Sequence, residues 1–308
     1  MSKQLSWLIF GAEGWIGKQL VHILTNKRTE DFIEFAQCRA DDEPGVEHEL
    51  RIKQPDRVMC LVGRTHGPGF NTIDYLEQPD KLHENLRDNL YAPLVLQTLC
   101  HVKGIHFTYL STGCIYEYDA KHTIENEVGF TEEDKPNFDK SAYSCVRGFT
   151  QRLMNLLEPV MNNALTARIR MPINAEDHGR NFVIKITRYA KVCSIENSMS
   201  VLPDLLPILI DMAVLKKTGT VNFTNPGHIS HNRILELYKE IVDPSFVWQN
   251  FSIEEQDKIL AAKRSNNILS TEKLKEFAPH VRDIESAVID VLKEMAQNRL
   301  KQTSAPPL

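Results

Sequence analysis

A chain of 308 residues, 42% hydrophobic and 25% charged, has the composition of an ordinary globular protein with room for one large domain or two smaller ones. Its formal net charge of −5 excludes a global basic field that would draw it to nucleic acid or anionic lipid. Six cysteines, at 38, 60, 100, 114, 145 and 193, follow neither metal-ligand nor disulfide spacing, so no metal site is expected and a reducing compartment is.

Residues 1–4 lead into a short apolar run without signal-peptide architecture. The most apolar long segment, Val201 to Leu215, is interrupted by Pro203, Asp204, Pro207 and Asp211 and cannot span a bilayer. A cytoplasmic protein without a membrane partner is expected. Leu5 to Phe10 reads as a buried strand and Trp15 to Leu24 as an amphipathic helix. Between them stands Gly11-Ala12-Glu13-Gly14-Trp15-Ile16-Gly17, whose glycines allow a sharp turn and bring a pyrophosphate to the amides of a helix N-terminus. A tight turn with close helix packing would use the same glycines, but the position at the opening of a βαβ unit favours a dinucleotide.

Phe32 to Gln37 reads as a second strand, followed by Cys38-Arg39-Ala40-Asp41-Asp42. An acid at this strand end suits the ribose of NAD and an arginine suits a 2′-phosphate. Arg39 stands nearer the strand than Asp41, which leans to NADP, although a solvated arginine fits about as well. Val58 to Val62 is a third strand, and the loop Gly63 to Gly69 after it is a place for nucleotide contacts, with His66 read as a loop histidine. A long helical pattern from Asp80 to Cys100 precedes the strand Ile105 to Leu110, and Tyr143 to Leu157 is a helix before the strand Leu165 to Met171.

After Pro172 come helices at Asn181 to Tyr189 and Leu202 to Leu215, a strand at Val221 to Thr224, helices at Asn232 to Ile241 and Ile284 to Arg299, and a Pro-rich tail expected to be disordered. This alternation predicts an α/β protein built on a Rossmann-type, doubly wound parallel sheet. The NADP-binding part is assigned to 1–171 plus about 201–228. A smaller C-terminal, substrate-binding α/β part takes 172–200 plus 229–300, and 301–308 form the tail.

The stretch from Ser111 to Arg147 carries the chemistry. Ser111-Thr112-Gly113-Cys114 ends a strand, while Tyr143 and Arg147, four apart, share one face of a helix. Taken singly, Cys114 is equally a small buried residue and Tyr143 equally a core tyrosine.

The combination of the glycine motif, Ser111-Thr112 and the Tyr143 helix resembles the extended short-chain dehydrogenase/reductase family. A closer resemblance covers most of the chain. It rests on Gly14 to Gly17, Thr112-Gly113-Cys114-Ile115-Tyr116-Glu117-Tyr118-Asp119, Pro136-Asn137-Phe138, Arg170-Met171-Pro172-Ile173, Arg180-Asn181-Phe182, Phe223-Thr224-Asn225-Pro226-Gly227 and Arg264-Ser265-Asn266-Asn267. These strings are similar to the bifunctional nucleotide-rhamnose synthases, the 3,5-epimerase/4-reductases of plants and some large viruses. The resemblance implies a UDP- or dTDP-4-keto-6-deoxyglucose substrate, NADPH as cofactor, and a homodimer. Cys114 and Lys185 would be the acid/base pair for C3 and C5, and Thr112 and Tyr143 would hydrogen-bond the C4 oxygen. Asn181 and Arg264 would meet the substrate diphosphate. Asn89, in the long helical pattern before the active strand, would support the site, and Gly63 and Asn89 are both assigned to cofactor binding.

One departure concerns position 147, where the family expects lysine and this chain has Arg147. Arginine keeps the charge and the hydrogen bonds to the nicotinamide ribose, but its proton is effectively never released. The alternatives that remain are a single-activity reductase or epimerase and a non-catalytic NADP-sensing protein. A second acid/base pair argues against the sensor.

Overall fold

The computed structural model describes residues 3–303. Six strands, β1 (Ser6–Phe10), β2 (Phe32–Phe35), β3 (Arg57–Cys60), β4 (His106–Thr112), β5 (Ala164–Ile169) and β9 (Gly219–Asn222), form one parallel sheet in the order β2-β1-β3-β4-β5-β9. Runs such as Trp7-Leu8-Ile9-Phe10 and Val58-Met59-Cys60 are buried on both faces, as parallel strands covered by helices must be. Helices α1 (Trp15–Lys27), α7 (Leu202–Val214) and α10 (Glu272–Phe277) cover one face through Leu20, Leu24, Leu205, Leu209 and Leu274. Helices α2 (Glu43–Lys53), α4 (Ala92–Val102) and α5 (Ala142–Met161) cover the other through Val46, Leu50, Leu96, Cys100 and Met154. Strand order turns outward from β1 in both directions, so a crevice opens at the carboxyl ends of β1 and β3, the place where open α/β sheets bind ligands.

Several expected boundaries moved for local reasons. Strand β2 stops at Phe35 because the Glu49 carboxylate takes the Gln37 and Cys38 amides, at 2.7 and 2.5 Å, that would have continued the ladder. The helix expected from Asp80 to Cys100 is α3 (Leu82–Leu86), one wide π turn at Arg87–Tyr91, and α4. The wide turn carries Asp88 and Asn89, both buried. Strand β4 runs two residues past Leu110, pairing Ser111 with Arg168 and Thr112 with Ile169. Helices α2, α9 (Ile253–Ile259) and α10 had no clear periodic signal in the sequence.

A second core forms around α6 (Phe182–Thr187), α8 (His231–Ile241) and α11 (Ile284–Thr303), with Ile184, Val192, Leu235, Val288 and Leu292 at its centre. Two small ladders edge it. In one, β6 (Pro172–Ile173) pairs with β8 (Ser200–Val201), and in the other β7 (Glu196–Asn197) pairs with β10 (Ile229–Ser230). Helix α11 continues to Thr303, past the expected end at Arg299, and the rest of the expected tail, 304–308, lies outside the described residues. Among the described residues no helix is long and apolar enough to cross a membrane, and no group of three His, Cys, Asp or Glu side chains could hold a metal ion.

Candidate active site

The glycine loop has the shape of a cradle. Gly11 sits at φ +84°, in the left-handed region, and a side chain on Gly17 would come within 2.1 Å of the Gly11 carbonyl oxygen. Helix α1 therefore starts flush against the end of β1. Its N-cap, Gly14, makes no side-chain cap and no acid stands in the first turn, leaving the first amides open to an anion. The side chains of Trp15 and Ile16 go elsewhere. The Trp15 indole donates to Glu176 at 2.6 Å and stacks on His178, with centroids 5.3 Å apart and planes 2° apart, while Ile16 packs on the sheet core. Only the backbone of these two can serve the cradle.

At the end of β2, Arg39 is exposed and bonded to Asp41 at 2.8 Å and Asp88 at 3.0 Å. Asp88 also takes Arg64 and Arg87, each at 2.9 Å. Burial pushes the Asp88 carboxyl up, but the hydrogen bonds from Arg87 and Arg64 outweigh it and hold the group below its usual range. Three arginines around two aspartates leave donors in excess where the 2′-phosphate of NADP would stand. The cradle and this cluster fit that cofactor. Asn89 is consumed in support of the loop after β3: its Oδ1 accepts from the Arg64 amide at 2.8 Å, and its Nδ2 donates to the Arg64 carbonyl at 2.9 Å and to Asn85 at 2.8 Å. Gly63 lies between Asn89 and Arg147, since a side chain there would sit 3.6 Å from Asn89 Oδ1 and 3.9 Å from Arg147 Nη1.

Beyond the end of β4 a cavity of about 160 Å³ is lined by Cys114, Tyr143, Phe182, His231 and Arg264 among others. Thr112 is buried, and its Oγ1 accepts from the Cys114 amide at 3.1 Å, which fixes the turn that presents the thiol. Burial pushes the Tyr143 hydroxyl up, Arg147 pulls it down, Cys114 pushes it up again, and a hydrogen bond with Thr112 lowers it; the net shift is upward. Arg147 is buried, donates to the Tyr109 hydroxyl, and lies 5.9 Å from the Tyr143 ring centroid.

Lys185, on α6, is not among the residues lining this cavity. Its amine is held below the usual lysine range, first by burial and then by Arg180 and Arg264, with Cys114 acting in the opposite direction. Cys114 is thus near enough to act on the amine. Among the described residues, Lys185 and Arg180 form no ion pair with a carboxylate. Arg180 meets His66, whose ring is pushed down to about 4 by burial and by Arg180, Arg64 and Lys185.

The diphosphate role expected of Asn181 does not fit its side chain. Asn181 is fully buried; its Nδ2 donates to the carbonyls of Asn174 and Glu176 at 2.7 and 2.9 Å, and its Oδ1 caps α6 at the Val183 amide. The helix needs that cap, and nothing remains for a ligand. Arg264 reaches the cavity wall with one amine on Asp74 at 2.5 Å and another on the Ala262 carbonyl at 2.7 Å.

Two further residues were not foreseen. His231, the first residue of α8, lines the cavity and is pushed down to about 4, by burial first, so it stands there as a neutral imidazole. Arg170 is buried, has no carboxylate partner among the described residues, and bonds to Gly113, Asn197, Ser198 and Ser265. The only sequence signal for Arg170 was its place in one of the strings that carry the family resemblance; nothing in local pattern marks a cation for full burial.

No protein-family model matches the sequence. The chain is 51% identical over 291 residues to protein L780 of Acanthamoeba polyphaga mimivirus, covering 94% of this chain and 99% of that protein. The crystal structure of the L780 UDP-rhamnose synthase matches with a TM-score of 0.90 at 50% identity, covering 95% of this chain and 100% of that one. Identity is 39% over 294 residues to the bifunctional dTDP-4-dehydrorhamnose 3,5-epimerase/dTDP-4-dehydrorhamnose reductase of Arabidopsis thaliana, covering 95% and 94%. The dTDP-4-dehydrorhamnose reductase of Bacillus anthracis str. Ames, solved with NADP, shares the fold at a TM-score of 0.73 and 16% identity, covering 96% and 99%.

Proposed function

The chain belongs to the family of bifunctional nucleotide-rhamnose synthases, 3,5-epimerase/4-reductases of the extended short-chain dehydrogenase/reductase type, and from that premise we propose that it converts a UDP- or dTDP-4-keto-6-deoxyglucose to the nucleotide-activated L-rhamnose. The observation that carries this reading is the presence of Cys114 in the same cavity as Tyr143, because a plain reductase has no use for a thiol beside its proton donor. The C3 and C5 hydrogens flank the C4 ketone and are removable as protons. Cys114 and Lys185 move those protons, while Thr112 and Tyr143 hold the C4 oxygen as charge develops on it. When bound in the cradle, NADPH supplies a hydride to C4. Tyr143 gives the C4 oxygen its proton, and the buried Arg147 charge keeps that proton transferable. Arg180 and Arg264 draw the substrate diphosphate to the rim of the cavity, with Arg180 taking the part first expected of Asn181.

In the division of labour we propose, the sheet with the chain up to about Met171 and about 201–228 carries NADPH, and 172–200 with the C-terminal third grips the sugar nucleotide. Six free cysteines suit a reducing cytoplasm.

Incubation with each 4-keto nucleotide sugar and NADPH, followed by NMR, is expected to give the rhamno configuration. The same incubation in D₂O without NADPH is expected to place deuterium at C3 and C5. Reduction with C3 and C5 unchanged would reduce the protein to a single-activity reductase.

A homodimer is also proposed. On α5, Phe149, Leu153, Leu156 and Val160 recur at helical spacing as an exposed apolar stripe, with Leu156 and Val160 at 72% and 76% exposure. Such a stripe suits an isologous contact with a second copy. Sedimentation should report twice the 35.3 kDa chain mass. The double variant Leu156→Glu, Val160→Glu should sediment as a monomer; a wild-type monomer would remove the stripe from consideration.

A further inference from the structure

At position 147 the reactive cluster has arginine where its family expects lysine, and Tyr109 stands against that guanidinium. Arg147 is buried and, among the described residues, has no carboxylate partner. The titratable groups that face it are Tyr109 of β4, Cys60 of β3, Tyr143 of its own helix and Cys114 beyond β4. Burial pushes the Cys60 thiol up to about 12 and the Tyr109 phenol well above its usual value, so both face the guanidinium as neutral groups. A buried guanidinium needs fixed acceptors, because each unpaired donor carries the full cost of its lost hydration. Its Nε has no partner, and Nη1 donates to the Tyr109 hydroxyl. The guanidinium carbon lies 5.1 Å from the Tyr109 ring centroid and 5.9 Å from that of Tyr143, both within cation–π range.

Tyr109 is itself fully buried, and its backbone is fixed in the sheet, opposite Cys60 on one side and Thr166 on the other. It is three residues before Thr112 on the same strand. The strand thus holds a hydroxyl and an aromatic face against a cation that bears on Tyr143.

We propose that Tyr109 is the positioning residue that lets an arginine serve at position 147: its hydroxyl anchors one guanidinium nitrogen, and its ring, with that of Tyr143, keeps the charge beside the proton donor and the cofactor ribose. A lysine there would not need this anchor in the same way, because a compact ammonium can turn its three donors to whatever acceptors are near. The inference rests on the function proposed above, in which Tyr143 is the proton donor and NADPH the cofactor.

A double-mutant cycle tests it with Tyr109→Phe, Arg147→Lys and the two combined. Phenylalanine keeps the ring and removes only the hydroxyl, and thermal melting checks that each protein is folded. The first measurement is NADPH affinity by quenching of tryptophan fluorescence, which needs no sugar. Tyr109→Phe is expected to weaken NADPH about tenfold in the arginine background and less than about threefold in the lysine background, a coupling normal for residues in contact.

The second measurement is the pH profile of ketone reduction. Arg147 lowers the Tyr143 hydroxyl. Loosening the guanidinium therefore raises that hydroxyl, and the alkaline limb, where Tyr143 loses its proton, moves to higher pH by about one unit. A merely structural role for Tyr109 would lower the yield of active protein and leave the limb in place. Equal factors for Tyr109→Phe in both backgrounds, with an unmoved limb, would overturn the proposal. Should the wild type bind NADPH and fail to reduce the sugar, the functional reading fails while the binding cycle still decides on Tyr109.

Discussion

Cys114→Ser is expected to lower solvent deuterium exchange at C3 and C5 by at least about 10²-fold, the scale of a lost general acid or base. Serine keeps the size, and the amide at position 114 keeps its bond to Thr112 Oγ1, now at 3.1 Å, so the turn itself should persist. What changes is proton chemistry. An alcohol is a far poorer source of an anionic base near neutrality than a thiol. Arg147, Arg170 and Lys185 are the cations near the thiol. NADPH-dependent reduction of a substrate already inverted at C3 and C5 should fall far less, because Thr112 and Tyr143 are untouched. Exchange at the wild-type rate in Cys114→Ser would remove Cys114 from the acid/base pair and leave the epimerase assignment without its thiol. The measurement is NMR of the sugar in D₂O with cofactor withheld.

The second large effect is on stability. Arg170→Met is expected to destabilise the protein by about 3 kcal/mol and to disable both reactions. Arg170 donates to the Gly113 carbonyl at 2.9 Å, the Ser265 carbonyl at 3.0 Å, the Asn197 side chain at 2.5 Å and the Ser198 carbonyl at 3.3 Å. Asn267 also bonds Gly113 and Asn197, so those two acceptors would not be left bare. The Ser265 and Ser198 carbonyls would be, at roughly 1–3 kcal/mol each. Relief of the buried charge works the other way, since methionine does not have to be stripped of hydration. The orphaned acceptors should win because this guanidinium is already well satisfied by the carbonyls and side chains around it, so little desolvation cost remains to be relieved. The functional loss follows from Gly113, which joins Thr112 to Cys114. Urea unfolding gives the number; a loss under about 1 kcal/mol with normal turnover would mean the hub is held by Asn267 alone.

The hub explains why several separated strings in the sequence belong together. Arg170, Asn197 and the pair Ser265 and Asn267 come from three places in the chain and meet behind the end of β4. None of them has a local signature. A buried arginine without an acid is invisible to periodicity, because burial of a charge is decided by which carbonyls other segments bring to it. Asn181 is the reverse case: the family resemblance put it on the diphosphate, whereas the chain uses it to start a helix of six residues.

Local pattern was enough for the parallel sheet, the glycine cradle and the strand end at Thr112 and Cys114. Runs of buried β-formers, helical spacing and glycines with no room for a side chain are properties of neighbouring residues, and neighbours are what a sequence records. Resemblance added the thiol, the lysine and the sugar. Folding alone decided that Arg39 and Asp41 pair, that Trp15 turns to Glu176, and that Tyr109 stands under Arg147. Those are contacts between residues far apart in the chain or between competing partners, and the winner depends on burial and on donors and acceptors that come within reach only after the strands have closed.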